Sequence, residues 1–277
     1  MDISICSYSF HHLLAAGKQD IFGYITACKT LGCTLLDPWN GHLPILKKGD
    51  AAADAAEDPL QAAHLDNAEL EHLASVKAAA AAVGLPFGII AVDGAHIYDP
   101  DGRKRSANRA RAYRWLEVAG RLGARQVRID AGGPEEMPDE AFRLICDGYR
   151  DLIARGSEYG LQIVIENHWG PSKIPANVIK ILEAVEGLGL LLDTHNWKEE
   201  LKDEGRRRCA PFATATHIKT LQWDSDGNEI AEDIPTAIGY LKQAGYRGCW
   251  GIESCPKEGD EMEAAKLSVA LVRRLAR

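Results

Sequence analysis

The feature that most limits what this chain can fold into is an alternation. Short runs rich in β-branched and other apolar residues recur at 3–10, 33–39, 86–92, 126–131, 161–168, 189–193, 216–221 and 249–253. Between them lie longer stretches with helical spacing, at 21–31, 68–83, 106–122, 139–159, 176–185, 199–212, 234–243 and 261–275. Strand and helix in strict turn predict a parallel sheet, because each crossover helix returns the chain to the same edge. Eight such units can close on themselves, and 277 residues suit a single (β/α)8 barrel of the TIM type, which needs about 250. We therefore expect an α/β fold with one barrel domain over residues 1–277.

The punctuation agrees. Gly32, Gly84, Gly123, Gly160 and Gly245 each follow a helical run, where a left-handed residue ends a helix at little steric cost. Asp66 and Glu69 fit a capping box, and Pro235 falls early in a helix, where a missing N–H does no harm. Ile163-Val164-Ile165 and Leu190-Leu191-Leu192 are continuously apolar, as strands covered on both faces should be. The longest irregular stretch, 40–65, is expected to be an extended loop after the second strand, either a lid over the mouth or a surface insertion.

Composition excludes several classes. Hydrophobic residues make up 46% and charged residues 26%, an ordinary globular balance, and the net charge of −8 opposes nucleic-acid binding. The chain has no apolar run of the ~18 residues a membrane span needs, and its opening Met1-Asp2-Ile3-Ser4-Ile5 lacks the basic start of a signal peptide. Seven cysteines with no C-x-x-C pair are expected to be free thiols in a reducing cytoplasm. The basic clusters at 103–114 and 206–208 have no glycine-rich phosphate loop beside them and are expected to be solvated helix faces or partner contacts.

Four ligand-type residues end the last four strand-like runs: Glu166 in IVIENH, Asp193 in LLLDTHN, His217 in THIKT and Glu253 in WGIES. In a barrel all C-terminal strand ends surround one mouth, so these side chains should converge although they lie far apart in sequence. Three carboxylates and an imidazole meeting without a cation would repel one another and lose hydration. One divalent metal ion resolves that conflict. The donor set suits Mn²⁺ first, with Co²⁺, Mg²⁺ or Zn²⁺ as alternatives, and the absence of cysteine argues against a closed structural zinc site.

The order of these motifs, with the opening I-C-S-Y-S-F strand, resembles the xylose isomerase-like barrel superfamily of sugar phosphate isomerases and epimerases, keto-sugar 3-epimerases, inosose dehydratases and endonuclease IV. The resemblance implies that Glu166, Asp193, His217 and Glu253 bind one divalent metal and that Glu166 and Glu253 form the acid–base pair. The chain departs from the pattern at Asn196, where relatives carry a histidine, and at Thr220, where they often carry Asp. Asn196 joins His168, Lys219, Trp39 and His96 as candidates for substrate contact. His168 and Lys219 each stand two residues beyond a ligand candidate, on the same face of a strand.

These observations predict a metal-dependent isomerase or epimerase acting on a sugar or polyol carbonyl compound through an enediolate. A lyase or dehydratase on a keto-sugar or inosose is the alternative. An endonuclease IV-like hydrolase and a non-catalytic sugar-binding barrel rank below both. The expected partner is a small carbohydrate, with no nucleic acid and no membrane; self-association into a homo-oligomer is left open.

Overall fold

The computed structural model describes residues 1–61 and 63–277. Seven strands are present among them: β1 (Ile3–Ile5), β2 (Ile89–Val92), β3 (Gln126–Ile129), β4 (Gln162–Glu166), β5 (Gly189–Asp193), β6 (Ala213–Thr220) and β7 (Trp250–Ser254). They form one parallel sheet in the order β1-β7-β6-β5-β4-β3-β2. The α-helices are α1 (His11–Ala15), α2 (Ile21–Leu31), α3 (Pro44–Ala55), α4 (Asn67–Ala82), α5 (Gly102–Leu122), α6 (Asp139–Ser157), α7 (Pro175–Ala184), α8 (Lys202–Cys209), α9 (Ile234–Gln243) and α10 (Glu261–Leu275). No helix of the described residues is long and apolar enough to cross a membrane.

Two expected strands are corrected. The first stops at Ile5, and Ser7–Phe10 turns into a 3₁₀ helix. The second, 33–39, makes only isolated parallel bridges: Cys6 to Asp37 on one side, Leu36 to Phe87 and Trp39 to Ala91 on the other. Pro38 has no N–H to donate, so a regular ladder cannot run through this segment. Its remaining groups still pair, with Ser7 N–H donating to the Asp37 carbonyl at 2.9 Å and Ala91 N–H to that of Pro38 at 3.0 Å.

Residues 40–65 are also more ordered than an extended loop. A 3₁₀ turn at Asn40–His42 leads into the twelve-residue α3, which begins on Pro44. Residue 62 of this stretch lies outside the described residues. Arg114 of α5 pins the helix. Its buried guanidinium donates to the carbonyl of Leu46 at 2.8 Å and to that of His64 at 3.0 Å, and pairs with Glu69 of α4. This basic cluster is therefore not simply a solvated face. A Cβ at residue 49 would sit 2.2 Å from the Arg114 guanidinium carbon, so the close approach requires glycine.

Sequence punctuation appears where expected. Gly32 and Gly123 end their helices in the left-handed region, and the Asp66–Glu69 capping box is complete. The sheet has two faces with different fates. Ile163, Ile165, Leu190, Leu192, Ile218 and Ile252 point to the helices and join the main core. Val164, Leu191 and Ala215 point the other way and form a small separate cluster with Ile89. Two residues further along the same face come Glu166, Asp193 and His217, so an apolar layer becomes a floor beneath a polar one.

Candidate metal centre

Glu166 ends β4, Asp193 ends β5, His217 lies in β6 and Glu253 in β7. All four are buried, and each offers a ligand atom within 4.8 Å of the others. His217 Nδ1 is 3.4 Å from Glu166 Oε1 and 3.6 Å from Glu253 Oε2. Local hydrogen bonds fix the arrangement. Asp193 Oδ1 accepts the backbone N–H groups of His195 at 2.6 Å and Asn196 at 2.9 Å. Asn167 clamps the β4 and β5 ends together, donating to the Asp193 carbonyl at 2.9 Å and accepting its N–H at 2.8 Å.

Two cations serve the carboxylates. Arg128 of β3 sets Nε 2.9 Å from Glu166 Oε2, and its Nη1 pairs with Asp93 at 2.8 Å and Asp130 at 2.9 Å. Lys219 Nζ donates to Glu253 Oε2 at 2.6 Å and lies 3.7 Å from Asp193 Oδ2. Burial pushes both glutamates up, but the positive neighbours win. Arg128, with His168 and His217, holds Glu166 down at about 2. Lys219, with His217, holds Glu253 at about 2. Both are therefore carboxylates at neutral pH. Burial and the repulsion of Glu253 and Glu166 raise Asp193 against the pull of Lys219.

The residues fit a divalent ion. Asp193 Oδ2 and His217 Nδ1 are buried without a hydrogen-bond partner. So is Glu166 Oε2, because Arg128 Nε stands near it off the hydrogen-bonding line. Orphaned buried polar atoms are costly, and here three of them belong to one cluster of oxygen and imidazole donors. Asp93, Asp130 and His168 also lie close together, but Arg128 already neutralises the two aspartates.

A cavity of about 190 Å³ opens over the cluster. Its walls include Tyr8, Trp39, Trp169, His168 and Lys219. Of the expected substrate contacts, His168, Lys219 and Trp39 line this space; His96 and Asn196 do not. His96 Nε2 stands 3.8 Å from Asp130, and the contribution of Asn196 to the cluster is its backbone N–H. No described residue of 40–65 lines the cavity. The indole N–H of Trp39 donates to Asp93 at 2.7 Å, which holds the ring in the wall. Sequence reading missed Arg128 and Asp93. Its available signal was Arg128 itself, a charge inside the strand-like run QVRIDA and in phase with Asp130. A wider groove, about 450 Å³, lies between α5 and α6 and is bounded by the Arg109–Asp151 pair rather than by this chemistry.

A parallel α/β sheet with a buried carboxylate–histidine cluster at the C-terminal strand ends defines a broad class of barrel-like proteins. Within it, the family model described as xylose isomerase-like TIM barrel matches residues 25–275, and the chain belongs to that family. No curated protein sequence matches the chain. Among solved structures, it is similar to D-psicose 3-epimerase with D-tagatose from Clostridium cellulolyticum H10, at 12% identity, TM-score 0.74 and 100% coverage of both chains. It is similar to IolI protein with a binding zinc atom, at 14% identity and TM-score 0.75, covering 100% of this chain and 98% of that one. A third likeness is to the probable 3-DHS dehydratase AsbF from Bacillus anthracis, at 12% identity and TM-score 0.69, covering 99% of each chain. At these identities the likeness shows a shared fold.

Proposed function

We propose that this chain is a metal-dependent isomerase or epimerase acting on a small sugar or polyol carbonyl compound. The observation that carries the reading is the buried cluster of Glu166, Asp193, His217 and Glu253, with three polar atoms left without partners. A divalent ion held by these four residues, Mn²⁺ as first choice, would supply Lewis acidity and acidify the C–H beside the substrate carbonyl. Glu166 and Glu253 are the acid–base pair: both are held as carboxylates at neutral pH, so one accepts the proton from carbon, and the other first takes a proton from water and then delivers it to the opposite face. Lys219, beside Glu253, offsets negative charge that develops on a substrate oxygen. Tyr8, Trp39 and Trp169 supply aromatic surface for sugar C–H faces.

The wider reading follows the same lines. Residues 33–39 act as the eighth strand of one closed barrel domain over 1–277, supported by their bridges toward both β1 and β2. Seven free thiols fit a reducing cytoplasm. A dehydratase is the second reading, favoured by the Lys219 ammonium in the cavity wall, a fixed positive charge beside Glu253 that would stabilise a departing hydroxyl oxygen.

Incubating Mn²⁺-loaded protein in D₂O with keto-sugars and inososes tests this. Epimerisation or isomerisation should place deuterium on the carbon beside the carbonyl, read by NMR. Loss of water from the substrate would select the dehydratase instead. A protein that binds Mn²⁺ yet exchanges no proton on any member of the panel would remove both readings.

A further inference from the structure

His217 shows its two ring nitrogens to different surroundings. Nδ1 faces the Glu166 and Glu253 carboxylates, at 3.4 and 3.6 Å. Nε2 faces Asp37 Oδ2 at 3.3 Å, a contact made across 180 residues of sequence. Asp37 is 1% exposed, and among the described residues His217 is the one basic side chain within ion-pair distance of it. Its other side-chain partner, the hydroxyl of Ser4, sits at 3.4 Å, the outer limit of a hydrogen bond. The backbone of Asp37 needs no help from its carboxylate, since its N–H donates to the Tyr24 hydroxyl at 2.7 Å and its carbonyl accepts from Ser7. A buried carboxylate whose one ion-pair partner is a single histidine is expensive to keep unless that pairing has a use.

We propose that Asp37 is the positioning residue for His217, the carboxylate that sets which nitrogen faces the metal. An ionised carboxylate only accepts hydrogen bonds, so it requires Nε2 to carry the proton. The Nδ1 lone pair is then left toward the cluster, and the ring plane is held against rotation. Metal-binding histidines are commonly fixed in this way through their second nitrogen, and loss of that partner typically weakens metal affinity about 10–100-fold. The proposal rests on the four-residue metal centre described above, and it adds a fifth residue that never touches the ion.

Asp37→Asn tests it, with metal affinity as the readout rather than turnover. Mn²⁺ and Zn²⁺ dissociation constants are measured by competition with a chelator, alongside thermal unfolding of the metal-free protein. The expected result is a 10–100-fold weaker affinity in a protein whose metal-free melting changes little. In the Zn²⁺-loaded wild type, histidine ¹⁵N spectra should show the His217 proton on Nε2. Equal affinities in the wild type and Asp37→Asn overturn the proposal, as does a proton on Nδ1. Should Asp37→Asn fail to fold, Asp37→Glu, which displaces the carboxylate by one methylene, is read by the same criterion. Failure of the wild type to bind any divalent ion would overturn the metal centre itself, a separate outcome.

Discussion

His217 is the one nitrogen donor in the proposed metal centre, so no neighbour replaces it. His217→Ala should lose at least tenfold in Mn²⁺ affinity and also some stability, because it leaves buried Asp37 without its one basic partner. Isothermal titration with Mn²⁺ checks this. The two glutamates pose a different question, since each is assigned both a ligand and a proton-transfer role. Glu166→Gln and Glu253→Gln keep an oxygen donor but cannot take a proton. Each should retain some metal and lose roughly 10²–10⁴-fold in turnover on the identified substrate, the usual contribution of a positioned acid or base. Near-normal turnover in either metal-loaded variant would move the base to His168 or Lys219, both of which line the same cavity.

At the scale of elements, the informative piece is α3. It seats Leu46 in the core and packs Ile45 against it, but its alanine-rich second half buries little. Arg114 anchors it further, joining the carbonyls of Leu46 and His64 to Glu69 through one buried guanidinium. Trp115 adds a bond from its indole N–H to Asp50 at 3.2 Å. Removing Arg114 leaves Glu69 buried without its cation, a change that typically costs about 3–5 kcal/mol. Arg114→Ala should lower stability by that amount in urea unfolding, and limited proteolysis should cut first within 44–65. A variant that unfolds at the wild-type urea midpoint would show that α3 is held by apolar contact alone.

The molecule as a whole should respond to acid through a residue outside the site. His42 is fully buried, and neither ring nitrogen has a hydrogen-bond partner. Burial lowers its pKa from 6.5 to about 4. In the unfolded chain the imidazole takes a proton near 6.5, whereas the fold resists protonation until about 4, so between these values the unfolded state binds more protons. The contribution is fully present above pH 6.5 and is lost as pH falls toward 4. At pH 5 the loss amounts to about 2 kcal/mol. Urea midpoints at pH 7 and pH 5 should therefore converge in His42→Leu relative to the wild type. An unchanged pH difference would assign the acid response elsewhere.

Sequence by itself determined the features that depend on neighbours along the chain. The two-residue period set Glu166 beyond Val164, Asp193 beyond Leu191 and His217 beyond Ala215, which is enough to place acids and imidazole on one face of successive strands. Glycines and the Asp66–Glu69 pair marked helix ends for the same local reason. Tertiary structure decided what depends on which strands stand side by side. Pro38 denied the second strand a continuous ladder, yet its segment still brings Asp37 to His217 and Trp39 to Asp93. Arg128 reached Glu166, and Arg114 turned an apparent loop into an anchored helix. Apolar periodicity reports which face of an element leaves water, and that is a local property. The partner of a buried charge is fixed only when the sheet curves and remote segments meet, because only there does the cost of dehydration select one neighbour over another.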